Sequence, residues 1–504
     1  MTEVLKIIQN ETLTYHQKVK ALADLAENSD AITLPRSKEF LAAKSLGFVC
    51  DLNEGLVPYR PRYIVPDYRI LFEKGSKTLG LTPPQDLWEA CAALQIMYHN
   101  VPSSSGYPVF LGNFDELLEP FVLKMSEKEA KQCLRLFLLH IDKTLPDSFI
   151  HATFGPQASI TGKLLMELSA EMQLAVPNLT LKYDPEVTPD DFAELAVKTM
   201  LEVAKPSFVN HKMLVAEWGE DYAVASCFNC LRIGGGGLTL HRLRLGTIGE
   251  AATDIKDFFT NHLPKAVDIV LNIMEERVRF IIEESRFFET SFLALEGFIQ
   301  QERFIGMFGL VGLAECVNHL LKIDNPEKGF GWNEEADELG ETIIQAINKQ
   351  VAEFDSKYCA STNHHFGLHA QVGIETDTDN SPGTRIPIGH EPLLHQQLNH
   401  SCRYHKYFIT GTGDVFTFDS TWKESASALV DILKGAMSQD YRYFSGYSAD
   451  SDVVRVTGYL VKRSELEKID NNKASLNGST ILAKGQRDAG KAFERRIHGQ
   501  GSRK

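Results

Sequence analysis

The stretch from residue 177 to residue 206 constrains the fold of this chain more than any other. Pro177-Asn178-Leu179-Thr180-Leu181-Lys182-Tyr183 reads as a short strand. Thr188-Pro189-Asp190-Asp191 then reads as a helix start, with Thr188 as N-cap, proline at the first helical position and acids facing the positive end of the helix dipole. That helix runs to about Ala204, and Pro206 closes it. The order strand, loop, helix continues through the middle of the chain and argues for α/β, with strands wrapped by helices. Residues 1–170 read mainly as helix, with apolar residues at helical spacing in 14–27, 84–99, 126–142 and 159–174. Residues 253–286, 336–357 and 422–437 read as further helices. Residues 360–415, rich in Gly, His, Pro and Thr, read as large loops near a site. The polar, Gly-containing end of the chain reads as a mobile tail or a peripheral extension.

Composition narrows the function. The chain has 504 residues and a net charge of -15, which argues against a nucleic-acid surface, since that needs a basic patch to replace counterions. No apolar run is long enough for a membrane span, and Met1-Thr2-Glu3-Val4 does not open a signal peptide. Eight cysteines scattered over so long a chain are not a disulfide framework, so a reduced, cytoplasmic protein is expected.

Two short segments carry the chemistry. Arg455-Val456-Thr457-Gly458-Tyr459 lies close to the end of the chain. A glycine Cα is suited to hold an unpaired electron, because a planar Cα radical conjugates with both flanking amides and no Cβ opposes the flattening. The second segment is Gly219-Glu220-Asp221-Tyr222-Ala223-Val224-Ala225-Ser226-Cys227-Phe228-Asn229. Cys227 and Cys230 form a Cys-x-x-Cys pair, but Gly234-Gly235-Gly236-Gly237 soon after opposes the helix that a thioredoxin-type pair would open. Cys359 and Cys402 do not supply the second pair that a zinc site needs.

The run Arg-Val-x-Gly-Tyr resembles the signature of glycyl radical enzymes. The Cys227 segment is similar to the cysteine loop of pyruvate formate-lyase and of the glycyl radical eliminases, where Asp-Tyr and a short apolar run precede the thiyl cysteine. Pro177-Asn178-Leu179 and Pro206-Ser207-Phe208-Val209-Asn210 fit the same family. Gly237-Leu238-Thr239-Leu240-His241-Arg242-Leu243-Arg244-Leu245, and Phe308-Gly309-Leu310-Val311-Gly312-Leu313-Ala314-Glu315, resemble anaerobic (class III) ribonucleotide reductase instead. The mixture resembles the YjjI-type glycyl radical enzymes.

The resemblance implies a ten-stranded α/β barrel of two antiparallel five-stranded parallel halves, surrounded by helices. Residues 1–170 would form a mainly helical N-terminal layer, 171–450 the barrel with its cysteine loop, and 451–504 the glycine loop and tail. Gly458 would carry the radical, Cys227 the thiyl that abstracts hydrogen from a small polar substrate, and Arg455 and Tyr459 would support the loop. Cys230 would be an acid, a hydrogen donor or a reductant, and also stands as the alternative thiyl. The cofactor would be the glycyl radical itself, with no metal or organic cofactor bound in the enzyme. The radical would be installed by a radical S-adenosylmethionine activating enzyme with an iron–sulfur cluster. A homodimer is usual in the superfamily.

Departures from the family patterns bear on the reaction. Eliminases place a glutamate two residues after the thiyl cysteine; Asn229 stands there and cannot take a proton at neutral pH. Pyruvate formate-lyase has two adjacent cysteines; the neighbour here is Ser226. Class III reductases carry a cysteine zinc site ahead of the glycine loop, and residues 403–457 contain no cysteine. Thr457 replaces the smaller residue usual before the glycine. Substrate contacts are expected from Asn229, Asn363, His364 and His369, with Glu375 and Glu391 as the nearest acids able to replace the missing base. Two readings stand beside this one: class III reductase-like activity on nucleotides or nucleosides, and a non-radical protein that binds metal through the histidines at 364–405.

Overall fold

The strand expected at 177–183 lies at Asn178–Tyr183, inside a seven-stranded sheet. The computed structural model describes residues 3–27, 37–50, 59–102, 108–145, 147–370, 380–488 and 491–499. Strands Phe110–Asn113, His151–Phe154, Asn178–Tyr183 and Ser207–Asn210 run parallel in chain order. The last two intervals hold helices Ile160–Met172 and Asp190–Val203, the crossover connections that parallel strands need. The sheet then changes direction. Tyr443–Ser448 pairs antiparallel with Ser207–Asn210, Tyr443 opposite Val209, and Asp414–Phe418 and Ile497–His498 continue parallel to Tyr443–Ser448.

A second sheet has Gly235–Arg244, Phe304–Val311 and Gly367–Ala370 in parallel, with Val49–Cys50 and Tyr63–Val65 antiparallel on Gly235–Arg244. The sheets approach one another where Thr410 N donates to Leu368 O and Ala370 N to Gly411 O, just ahead of Asp414–Phe418. Among the described residues the strands form an α/β arrangement of two separate large ladders with helices around them; one closed ring of ten strands is not recorded. Between the sheets lies a hairpin, Tyr222–Ala225 with Asn229–Arg232, which pairs only with itself. It packs on Phe110–Asn113 and His151–Phe154 on one side and on Gly235–Arg244 and Phe304–Val311 on the other.

Most helices fall where apolar spacing places them: Tyr15–Glu27, Leu87–Tyr98, Glu127–Thr144, Ile160–Met172, Glu334–Glu353 and Ala426–Met437. Glu127–Thr144 begins in a capping box between Ser126 and Glu129. Four differences have physical causes. Thr188 does not cap the helix that follows it; its hydroxyl donates to Pro156 O at 2.7 Å, and Pro189 takes the cap position. Phe110–Asn113 and His151–Phe154 are strands inside the region read as helical; each has four residues, all buried, so neither shows alternation. The 360–415 region holds helix Leu394–His405, whose inner face packs through Leu398 and Tyr404. Residues 491–499, inside the stretch read as a mobile tail or peripheral extension, are docked: Ile497–His498 joins the large sheet, and Arg495 is buried. Among the described residues no helix is long and apolar enough to cross a membrane.

One ion pair staples the seam where strand direction reverses. Arg442, whose side chain is fully buried, makes a two-pronged contact with Glu217 at 2.5 and 2.6 Å, and its Nε donates to His405 O at 3.2 Å. Glu217 sits on helix His211–Trp218, directly after one parallel set, and Arg442 directly before the antiparallel one. Glu217→Ala leaves a buried guanidinium uncompensated and should cost on the order of 3 kcal/mol. Denaturant unfolding should show that loss, and Glu217→Ala/Arg442→Met should recover much of it.

Candidate active site

The hairpin between the sheets turns through Ser226-Cys227-Phe228. Ser226 (φ 49°) and Phe228 (φ 57°) adopt left-handed conformations uncommon for non-glycine residues. The turn is held from several sides. Ser226 N donates to Val109 O at 3.3 Å, Cys230 N to Thr410 O at 2.9 Å, and Asn229 Nδ2 to Ala225 O at 3.0 Å. Gly411 (φ 121°) lets the chain pass so close to Phe228 O that a Cβ there would fall 2.2 Å from it. Cys227 is thereby fixed at the tip, 5% exposed.

A second turn meets it from the C-terminal side. Val453–Arg455 pairs with Leu460–Lys462, and Val456 N donates to Tyr459 O at 3.1 Å across the loop that contains Gly458. A Cβ placed on Gly458 would lie 2.4 Å from both Cα and Cβ of Cys227 and 3.0 Å from its Sγ. No side chain fits there, so the two backbones are in contact only because position 458 is glycine.

A buried polar chain fixes the Gly458 carbonyl. His151 Nδ1 lies 2.9 Å from Phe149 O and donates to it, which leaves Nε2 as an acceptor. Asn178 Nδ2 then donates to His151 Nε2 at 2.6 Å and to Gly458 O at 3.3 Å. Asn178 Oδ1 accepts from Arg455 Nη2 at 3.0 Å, and Arg455 also donates to Ala204 O. Arg495 reaches in from the end of the chain, donating to Arg455 O at 3.2 Å and to Val456 O. Tyr459 packs against Phe149, the ring centroids 4.7 Å apart and the planes tilted by 48°. Burial drives His151 down to about 3, so its ring stays neutral and the acceptor role persists at physiological pH.

The surroundings of Cys227 are buried, and among the described residues Arg62, Arg385 and Asp147 bring charge close to it. Burial pushes the Cys227 thiol up to about 12, with Arg62 and Arg385 near enough to oppose the shift and Asp147 near enough to add to it. The sulfur therefore keeps its hydrogen at neutral pH. Tyr63 adjoins Ser226 and Cys227. Arg385 lies over the Phe228 ring at 5.4 Å.

The residues expected at a site separate into groups. Gly458, Cys227, Arg455 and Tyr459 come together. Asn229 is fully buried opposite Ala225, where the hairpin closes into its turn, and its Oδ1 has no hydrogen-bond partner. Cys230 lies opposite Val224, and its thiol adjoins Arg442 rather than Gly458. His369 is buried 6.1 Å from the Phe228 ring, its Nδ1 against Thr410 O, and burial lowers it to about 3. Asn363 and His364 sit on an exposed turn, away from this interior. Glu375 lies outside the described residues. Glu391 is tied to the backbone of Gly389 and Arg496. His400 packs on Phe330 beside Asp337, and His405 accepts from Arg442 N. Among the described residues no three His, Cys, Asp or Glu side chains converge as a metal site, so the histidine cluster read from the sequence is dispersed.

Sequence reasoning missed the roles of His151, Asn178, Tyr63, Arg385 and Arg495. Asn178 was visible as part of a strand, but nothing local ties it to residues 27 and 280 positions away.

The glycine contact predicts a chemical phenotype that needs no radical. In the wild type, Cys227 should resist iodoacetamide at neutral pH, being buried and protonated. Gly458→Ala must push the loop off the hairpin, so peptide mapping should show alkylation at Cys227. Equal protection in both proteins would mean that the contact is not as tight as described.

Comparisons with known proteins bear on the family and the fold. The sequence model of the family "Glycyl radical enzyme YjjI-like" matches residues 13–498. An uncharacterized protein of Haemophilus influenzae is 41% identical over 505 residues, covering 99% of this chain and 97% of the relative. Among solved structures, one from work on 1,2-propanediol dehydration in Roseburia inulinivorans superposes with a TM-score of 0.70 at 12% identity, over 98% of this chain and 88% of the other. The anaerobic ribonucleotide reductase of Thermotoga maritima with glycerol in its active site superposes with a TM-score of 0.68 at 14% identity, over 98% and 90%. At such low identity these two speak for the fold alone. The chain belongs to the YjjI-like family of glycyl radical enzymes.

Proposed function

We propose that this protein is an anaerobic radical catalyst in which Gly458 stores the unpaired electron and Cys227 delivers it to a small polar substrate. The observation that carries this reading is the absence of room for a single Cβ between Gly458 and Cys227. Hydrogen-atom transfer needs donor and acceptor in contact, and here they are.

The steps balance with the groups present. The Gly458 Cα radical takes the hydrogen atom from the Cys227 thiol, leaving a C–H bond on glycine and a thiyl on sulfur. The thiyl takes a hydrogen atom from a substrate carbon, leaving a substrate radical. Once the substrate has rearranged or fragmented, the product radical takes the hydrogen back from Cys227, and the thiyl so formed takes the hydrogen atom from Gly458 Cα, restoring the glycine radical. The high thiol pKa serves this sequence, because the S–H bond and not the thiolate is the reagent. The hydrogen bond from Asn178 holds Gly458 O, and Arg495 holds the carbonyls of Arg455 and Val456 just ahead of it, so the glycine loop is fixed against the Cys227 turn. Burial keeps water and oxygen from both radicals.

A radical S-adenosylmethionine activating enzyme with an iron–sulfur cluster would create the radical. It must reach Gly458, so the loop has to leave its seat between the sheets, and the contacts of Arg495 with Arg455 and Val456 must open with it. Asn229 has no acid–base capacity at neutral pH, so a proton-assisted elimination would need its base from elsewhere.

Anaerobic activation followed by electron paramagnetic resonance tests this. The wild type should give an organic-radical doublet split by the remaining Gly458 Cα hydrogen. Cys227→Ser should keep the signal but lose turnover, and Gly458→Ala should lose the signal. An unchanged signal in Gly458→Ala would sink the reading.

A further inference from the structure

A largely buried arginine near Cys227 has both of its terminal nitrogens unused. Arg385 Nε donates to Gly413 O at 2.7 Å. Its Nη1 and Nη2 are inaccessible to solvent and meet no hydrogen-bond acceptor. Buried polar groups are nearly always paired, and an unpaired guanidinium end is among the costlier exceptions.

Local charge accounts for only one side of it. Asp414 forms an ion pair with the Nε side of Arg385, its Oδ1 3.7 Å from Nε and beyond hydrogen-bond length, while its Oδ2 accepts from Ser401 and from Tyr441 at 3.1 Å; Nη1 and Nη2 stay without an acceptor. Arg495 adds a second positive charge close by. Arg455 also has unpaired nitrogens, Nε and Nη1, but its Nη2 is spent on Asn178 and Ala204. Arg385 alone of the two offers an intact pair of terminal nitrogens, the fork that matches a carboxylate or phosphate edge.

The fork is also held in place and pointed at the right neighbourhood. The guanidinium lies over the ring of Phe228, the residue next to Cys227, and Arg385 and Cys227 are close enough to perturb each other electrostatically. On its outer side, the loop bearing Arg385 supplies Ser381, Pro382, Pro387 and Ile388 to the wall of a cleft of about 1060 Å³.

We infer that the substrate is an anion whose carboxylate or phosphate group is captured by the open end of Arg385 beside Cys227. The inference rests on the radical reading only in calling the ligand a substrate. The capture itself belongs to the resting protein, so it can be tested without a radical.

The test is calorimetric titration and thermal melting of the full-length, unactivated protein with three probes at millimolar concentration: glycolate for a carboxylate, glycerol 3-phosphate for a phosphate, and glycerol as the neutral control. At least one anion should bind and raise the melting temperature while glycerol does not, and the anion that binds names the source of the charge. Arg385→Gln should weaken that binding by about 10-fold or more. If this variant does not fold, Arg385→Lys keeps the charge without the fork and should still weaken binding in a folded protein. The inference is overturned if neither anion binds, if glycerol binds as well as they do, or if the folded variant keeps wild-type affinity, which would make Arg385 a structural partner of Asp414. Loss of the paramagnetic signal requirement at Gly458 would leave these outcomes unaffected, so the two failures are distinguishable.

Discussion

Everything at this site depends on one contact, the backbone of Gly458 against the backbone and sulfur of Cys227 with no space for a methyl group. Two turns far apart in sequence must reach the same point inside the protein, and the architecture is arranged around that need. The hairpin carrying Cys227 lies between two sheets and pairs with neither. The Gly458 loop arrives from the far end of the chain and is clamped by Asn178 from the large sheet and by Arg495 from beyond the loop. The left-handed backbone at Ser226 and Phe228 is the local strain that lets Cys227 stand at a tip.

The electrostatics follow from burial. Within this interior, groups that can shed charge are driven to do so: the Cys227 thiol stays protonated, and His151 and His369 stay neutral. Arginine cannot follow them, because its pKa is too high. Among the described residues, Arg62, Arg385, Arg455 and Arg495 bring fixed positive charge to this interior, with Asp414 and Asp147 as acids near them. Neutral hydrogen-atom donor and fixed cations together suit radical chemistry on a substrate that brings its own negative charge.

Much of this was legible in the sequence, for identifiable reasons. The strand at Asn178–Tyr183 and the helix after it carry strong local signals, a short apolar run and a proline–acid helix start. The long helices declare themselves by apolar spacing. Gly458 and Cys227 were visible because each lies in a run of residues with a recognisable pattern. Four-residue strands buried on both faces, such as Phe110–Asn113, have no period to read. His151, Asn178 and Arg385 matter through contacts that only the fold creates. Arg495 was hidden because a polar, basic end of chain looks solvent-facing until a buried carbonyl is found to receive it. The histidines at 364–405 misled in the opposite sense: close in sequence, they are parted between an exposed turn, a strand and a helix.

The central claim is that Gly458 and Cys227 exchange a hydrogen atom directly, and deuterium tests it most simply. In D2O the Cys227 thiol becomes S–D, and each round of transfer to and from Gly458 replaces the glycine Cα hydrogen. The paramagnetic doublet of the activated protein should therefore collapse towards a singlet in D2O in the wild type and remain a doublet in Cys227→Ser. A doublet that collapses equally without the thiol, or persists in the wild type, would contradict the contact on which this account rests.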